Sequence, residues 1–180
     1  MLAVLLLRRP AFVKNESAML ATGAVWALTC VVPQGVIVLP WGSGGEWDLK
    51  KIVYWNKWGG LHSSNVESSQ WVPKGELFQV HPTGEEGKIG SNSPEAWVAL
   101  CRDDATFVKH FEYHLGAKYP DDNCCVEVYT CEDFVEMESL GPLMTLSPGD
   151  EMMHEEVWTV TDNAMDPNDK EGLRALAKIL

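Results

Sequence analysis

Glu136 and Glu138 stand two residues apart in residues 134–140, where apolar and polar side chains alternate with the period of a β-strand. Successive strand side chains point to opposite faces, so the two carboxyls share one side. Glu127 and Tyr129 share a side of the neighbouring run, 126–130, for the same reason. Carboxylates held this close repel, which raises the proton affinity of one of them and suits it to proton transfer near neutral pH. The same pattern also describes a solvated acidic wall, and spacing alone leaves both readings open.

Other residue types offer less. His110, Glu112 and His114 share one parity of residues 106–115, while Phe107, Phe111, Tyr113 and Leu115 share the other. Paired histidines on a strand could hold a metal or move protons, but the order is not that of the helical zinc-protease motif. Cys124, Cys125 and Cys131, with His154 further on, raise the question of zinc. Adjacent cysteines on a strand diverge and structural zinc sites use ligand pairs two to four residues apart, so neither a metal nor another cofactor is expected. The five cysteines, an odd number without the spacing of a small disulfide scaffold, read as reduced thiols in a cytoplasmic protein.

Charge excludes some partners. The net charge is −12, and between Asp121 and Asp169 there are 14 acidic residues and no Lys or Arg. Such a chain repels phosphate backbones and anionic lipid, so nucleic acid and membrane surfaces are not expected partners. Arg8 and Arg9 follow the first apolar run instead of preceding it, and that run is too short to span a bilayer, so residues 2–7 read as a buried strand and not as a leader. There is no phosphate loop, nucleophile elbow or dinucleotide fingerprint. Eight tryptophans, several carboxylates and a few histidines remain. That inventory suits carbohydrate, because planar rings cover the apolar faces of sugars while carboxylates accept from their hydroxyls.

The elements that must position these groups are strands. After a turn at Asn15-Glu16-Ser17, residues 24–32 alternate, with Val25, Ala27 and Thr29 on one face and Trp26, Leu28 and Cys30 on the other. Pro33-Gln34-Gly35 reads as a hairpin turn into 36–39, where Pro40 stops the ladder. Residues 41–60 carry Trp41, Trp47, Trp55 and Trp58 around one clear strand at 52–55, and 61–70 read as a surface loop. Further extended runs fall at 71–81, 96–102, 106–115, 126–130, 134–140, 143–146 and 154–161, separated by Pro/Gly turns at 82–87 and 147–150. Helical spacing appears only at the end, where Asp166 and Pro167 read as N-cap and first helical position before Leu173, Leu176, Ile179 and Leu180. The expectation is an all-β protein, an antiparallel β-sandwich over residues 1–165, with one short C-terminal helix at 166–180 packed on it or on a partner subunit.

The segment VEVYT…FVEMESLGPLMTLSPGDEMMHEEVW resembles the C-terminal half of the DUF4380 family, which is related to the galactose mutarotase-like, or aldose 1-epimerase-like, supersandwich proteins. Asn15, the Ala24–Thr29 stretch, Val36–Pro40, Lys88-Ile89-Gly90, Trp97 and Tyr119-Pro120-Asp121 fit the same family, so the resemblance runs from about Phe12 to Val160. It implies a supersandwich shortened at its N-terminus, with Glu138 as candidate catalytic base and Glu136 as its neighbour. It further implies a ligand contact from Lys88, and Glu127, Tyr129, Trp26, Trp97 and His110 are candidate ligand contacts by residue type alone. Lys88 can equally be an exposed lysine on a sheet edge, and the family's catalytic histidine belongs to the portion this chain lacks. The implied function is carbohydrate binding, with a sugar mutarotase or epimerase using the paired glutamates, or a structural β-domain, as alternatives. A shortened sandwich leaves apolar faces to cover, so a homodimer through the N-terminal strand or the C-terminal helix is expected.

Overall fold

A computed structural model describes residues 4–42, 50–56 and 64–179. It is built from antiparallel strands: β1 (Val4–Lys14), β2 (Ala21–Gly23), β3 (Trp26–Val31), β4 (Val36–Pro40), β5 (Val53–Tyr54), β6 (Trp71–Lys74), β7 (Leu77–Val80), β8 (Gly87–Ser91), β9 (Trp97–Cys101), β10 (Thr106–Phe111), β11 (Val126–Thr130), β12 (Val135–Leu140), β13 (Met144–Leu146) and β14 (Glu151–Thr161). A sheet of order β1-β14-β10-β9-β4-β7-β6 packs against a sheet of order β3-β12-β11-β8-β5, and β13 with β2 forms a small ribbon. The expected antiparallel sandwich is the fold.

Its core follows from strand parity. Ile37, Leu39, Phe78, Leu100 and Phe111 of the larger sheet meet Ile89, Val126, Val128, Val135 and Met137 of the smaller one, and all ten are buried. The other face of the larger sheet is also dry, because α2 (Lys170–Ala177) lays Leu173, Leu176 and Ala177 over Val38, Trp97, Ala99, Cys101 and Val108. A strand covered on both sides must be apolar throughout, and β9, Trp-Val-Ala-Leu-Cys, is buried at every position.

Several expectations need correction. The first strand is present, but it is eleven residues long and lies at the edge of the larger sheet, with Leu5 and Leu7 exposed where a buried strand was expected. Seven strands face five, which leaves this edge overhanging, and Pro10 is tolerated there because an edge strand has N–H positions that need no partner. Pro33-Gln34-Gly35 does not close a hairpin: β3 belongs to one sheet and β4 to the other, so the turn carries the chain across the sandwich. The strand expected over 106–115 ends at Phe111, and Leu115 is fully out in solvent. The C-terminal helix begins later than its Pro signal suggested, and its cap is Asp169, whose carboxylate accepts from Gly172 N. Trp47 and Trp58 lie outside the described residues.

A second helical element, α1 (Pro120–Asn123), is a single turn in which Asp121 and Asp122 take left-handed φ of 50° and 58°. Such values are uncommon outside glycine but favour Asp and Asn among the rest. No helix among the described residues is long and apolar enough to cross a membrane.

Candidate functional site

Four strands of the smaller sheet deliver the site. β8 supplies Lys88, β11 Glu127 and Tyr129, β12 Glu136 and Glu138, and β3 Trp26. Register sets Glu127 opposite Glu138 and Gly90, and Tyr129 opposite Glu136 and Lys88. Across the next ladder Glu138 faces Leu28 and Leu140 faces Trp26. Cross-strand partners share a face. All these side chains therefore lie on the side turned away from the larger sheet.

At the centre Lys88 Nζ sits 2.6 Å from Glu127 Oε2 and 2.9 Å from Glu138 Oε2. Trp26 Nε1 donates to the same Glu138 oxygen at 2.6 Å, and its ring centroid is 4.7 Å from the Lys88 ammonium. A second indole, Trp55, stands 5.8 Å from that ammonium. Glu127 and Glu138 are fully buried and Lys88 is 9% exposed, so Lys88 is an interior ion and not the exposed edge lysine that the sequence also allowed.

Two carboxyls and one ammonium do not balance, and a buried site cannot easily carry the excess charge. Burial pushes the Glu127 carboxyl up to about 8; Lys88 opposes this, while Glu138 and Asp121 add to it. Glu127 thus keeps its proton at neutral pH, and its Oε1 has no hydrogen-bond partner among the described residues. For Lys88 burial works against the charge, but the fields and hydrogen bonds of Glu138 and Glu127 outweigh it and hold the amine above the ordinary lysine range. Gly90 makes the close packing around this cluster feasible. A Cβ there would lie 2.5 Å from Trp55 Cη2 and 2.7 Å from Cys124 Sγ.

Beside the buried trio the surface dips into a depression of about 400 Å³ lined by Trp26, Leu28, Glu86, Lys88, Tyr129, Phe134 and Glu136. That volume lies within the range of small-molecule sites, ~300–1,000 Å³. Trp26 is 52% exposed, so one indole face remains open to a ligand. Tyr129 Oη donates to Glu86 Oε1 at 2.7 Å. Burial, and then the charge of Glu138, raise the proton affinity of Glu136. Aromatic and aliphatic walls with carboxyls at the rim can stack a ring and accept hydrogen bonds from it.

Six of the eight expected residues are brought together here: Glu136, Glu138, Lys88, Glu127, Tyr129 and Trp26. Trp97 and His110 are not. They pair with each other on β9 and β10, on the outer face of the opposite sheet, where Trp97 lies beneath α2. His110 lines a different groove, of about 500 Å³, with Arg8, Glu112, His114 and Glu155, and burial and then Lys178 lower its proton affinity. The described residues contain no cluster of metal-ligating side chains.

Sequence reasoning missed Glu86, Phe134 and Trp55 at the site. It also missed a second buried polar group, between the sheets. Lys109 Nζ is 2.7 Å from Glu156 Oε1 and donates to the carbonyls of Met137 and Ala27 at 2.7 and 2.9 Å and to Thr29 Oγ1 at 3.1 Å. Ser139 Oγ donates to Glu156 Oε1 and stands 2.7 Å from His154 Nε2. The serine proton being committed to Glu156, the histidine Nε2–H is the donor to Ser139. A signal was available, since Lys109 shares the parity of Phe107 and Phe111, which mark the core side of that strand.

The fold and site together define the class, an antiparallel β-sandwich with a carboxylate–lysine–tryptophan face. No family model matches the sequence, and no curated protein does. Among solved structures the chain is similar to the Slr1438 protein from Synechocystis sp. PCC 6803, with a TM-score of 0.53 and 10% identity, over 88% of this chain and 51% of that one. The chain therefore spans about half the length of this neighbour, and the likeness is one of fold.

Proposed function

We propose that the chain is a carbohydrate-binding protein of aldose-epimerase-like type, built on a galactose mutarotase-like supersandwich of the kind that the DUF4380 resemblance implies. One observation carries this reading. The open face of Trp26, the Tyr129 and Phe134 rings and the Glu86 and Glu136 carboxyls surround one depression of about 400 Å³, with the Lys88–Glu138 pair at its base. The rings supply apolar platforms for a pyranose and the carboxyls accept from its hydroxyls.

An epimerase is the second reading, favoured by Glu136, which lines the depression and has its proton affinity raised by burial and by Glu138. A carboxyl whose proton affinity is raised can take and return the proton of an anomeric hydroxyl. No histidine lines the depression among the described residues, which favours binding over catalysis.

Titration with a panel of neutral and charged monosaccharides, followed by calorimetry or NMR, tests the first reading. Binding to the parent protein that is lost in Trp26→Ala supports it, and absence of binding across the panel overturns it. Polarimetry tests the second: accelerated mutarotation that disappears in Glu136→Gln supports an enzyme, and a parent rate equal to buffer refutes one.

A further inference from the structure

The two sheets end out of step beside β3. Lys109 of β10 donates to the Met137 carbonyl of β12 and to the Ala27 carbonyl and Thr29 hydroxyl of β3, so β10 lies beneath those two strands. β14 and β1 come next in the larger sheet and project past β3 as a shelf. Trp158 is opposite both Lys109 and Leu7 in the ladders, so Leu5, Leu7 and Arg9 point the way Lys109 points, into the layer of the smaller sheet. Leu5 and Leu7 are exposed there, and Trp158 and Val160 are only half-buried. Val25 and Leu146 close one end of the shelf by packing on Met152 and Ala11. β3 bounds its side: the ladder of β3 is with β12, and no strand among the described residues pairs with its other edge. An edge of this kind presents the N–H and C=O groups of alternate residues for pairing. Arg9 stands on the shelf with its guanidinium 5.0 Å from the Trp158 ring centroid. Arg8, Arg102 and Arg174 each pair with a carboxylate, whereas Arg9 has no carboxylate partner among the described residues.

We propose that this shelf and the edge beside it form a strand-acceptor site, and that its ligand is an extended segment of another protein with alternating apolar residues and a carboxylate that reaches Arg9. The backbone of the segment pairs with β3, and every second side chain lands on Leu5, Leu7 and Trp158. Main-chain hydrogen bonds then supply affinity while the alternate side chains supply selection. A helix cannot replace the strand, because its backbone groups are already bonded within it. β3 is six residues long, which sets the length of segment it can pair. The lone guanidinium favours an acidic side chain in that segment and repels a basic one. Two copies pairing along the free edge of β1 lengthen the larger sheet sideways and leave the shelf uncovered. The site is also separate from the sugar depression, which lies on the other face of β3.

The test starts from a displayed library of random short peptides selected on the parent protein. Enriched sequences are expected to alternate apolar with polar residues and to carry an aspartate or glutamate. The best of them, made synthetically, is expected to bind Arg9→Glu about tenfold more weakly than the parent, as loss of a charge-assisted contact implies. The same peptide with lysine in place of its acid is expected to reverse that order. Leu7→Glu is expected to lose both peptides. Hydrogen exchange followed by NMR is expected to slow at alternate backbone amides of β3, Trp26–Val31, as peptide is added. Equal enrichment on the parent and on Leu7→Glu, or enriched peptides without acid or alternation, overturns the proposal. So does slowing elsewhere with β3 unchanged. Slowing at β3 that follows protein concentration with no peptide present assigns the edge to a second copy and overturns it as well. Both substitutions fall at exposed positions, and circular dichroism melts that match the parent show that a lost peptide is not a lost fold.

Discussion

Glu127 links protonation to stability. Its carboxyl titrates at an ordinary 4.5 in the unfolded chain and at about 8 in the fold, pushed up by burial. Between those values the folded state holds a proton that the unfolded state has lost, so stability falls as pH rises through the window. Glu127→Gln imitates the protonated form. Melting temperature measured against pH should show a decline above pH 4.5 in the parent that the variant flattens, leaving the variant the more stable of the two above pH 8. A decline of equal slope in both proteins would sink the assignment. His154 supplies an internal control of opposite sign. Burial lowers its proton affinity below the ordinary 6.5, so its contribution is lost as pH falls, and this acid limb should survive in the Glu127 variant.

At the scale of elements, β12 faces both ways. Glu136 and Glu138 serve the outer site, while Met137 and Ser139 face the larger sheet, where Lys109 of β10 bonds the Met137 carbonyl and the backbone and hydroxyl of β3. The lysine fixes β12 and β3 against β10, and with them the spacing of Trp26 and Glu138. Removing one partner of a buried pair leaves the other uncompensated, at a cost of about 3–5 kcal/mol. Lys109→Ala is therefore expected to lose about that much in urea unfolding, by stranding Glu156 and three acceptors. A loss below about 1 kcal/mol, the range of a surface pair, would mean that solvent reaches the cluster. Glu136 and Glu138 could be placed on one side of their strand, and Glu127 and Tyr129 on one side of theirs, because parity is a local property; that the two pairs share a face came from the register. Trp97 and His110 could not be excluded, because strand alternation says which residues share a side of one strand and nothing about which sheet that strand joins. The same limit hid the crossing at Pro33-Gln34-Gly35, whose turn residues serve a hairpin and an inter-sheet connection equally well.

For the whole molecule, the uncovered end of the larger sheet sets an expectation about association. Leu5, Leu7 and Phe12 on β1 are 55%, 41% and 65% exposed, and Met153 beside Phe12 is 56% exposed. Apolar side chains exposed on both faces of an open edge strand favour pairing with a second copy, and twofold pairing is the commonest form. Sedimentation at micromolar concentration is expected to show a species heavier than the 20.0 kDa chain, returning to that mass in a Leu5→Glu, Leu7→Glu variant. A parent that sediments at 20.0 kDa refutes the dimer. The order of strands in that sheet also bears on biosynthesis. Among the described residues every ladder contact of β1 is with β14, which itself lies between β1 and β10. β1 therefore finds its ladder partner only at residues 151–161, and chains fold slowly when their contacts are this far apart in sequence. Until that pairing forms, β1 is a leucine-rich segment with open hydrogen-bonding edges, the kind of surface through which partly folded chains associate.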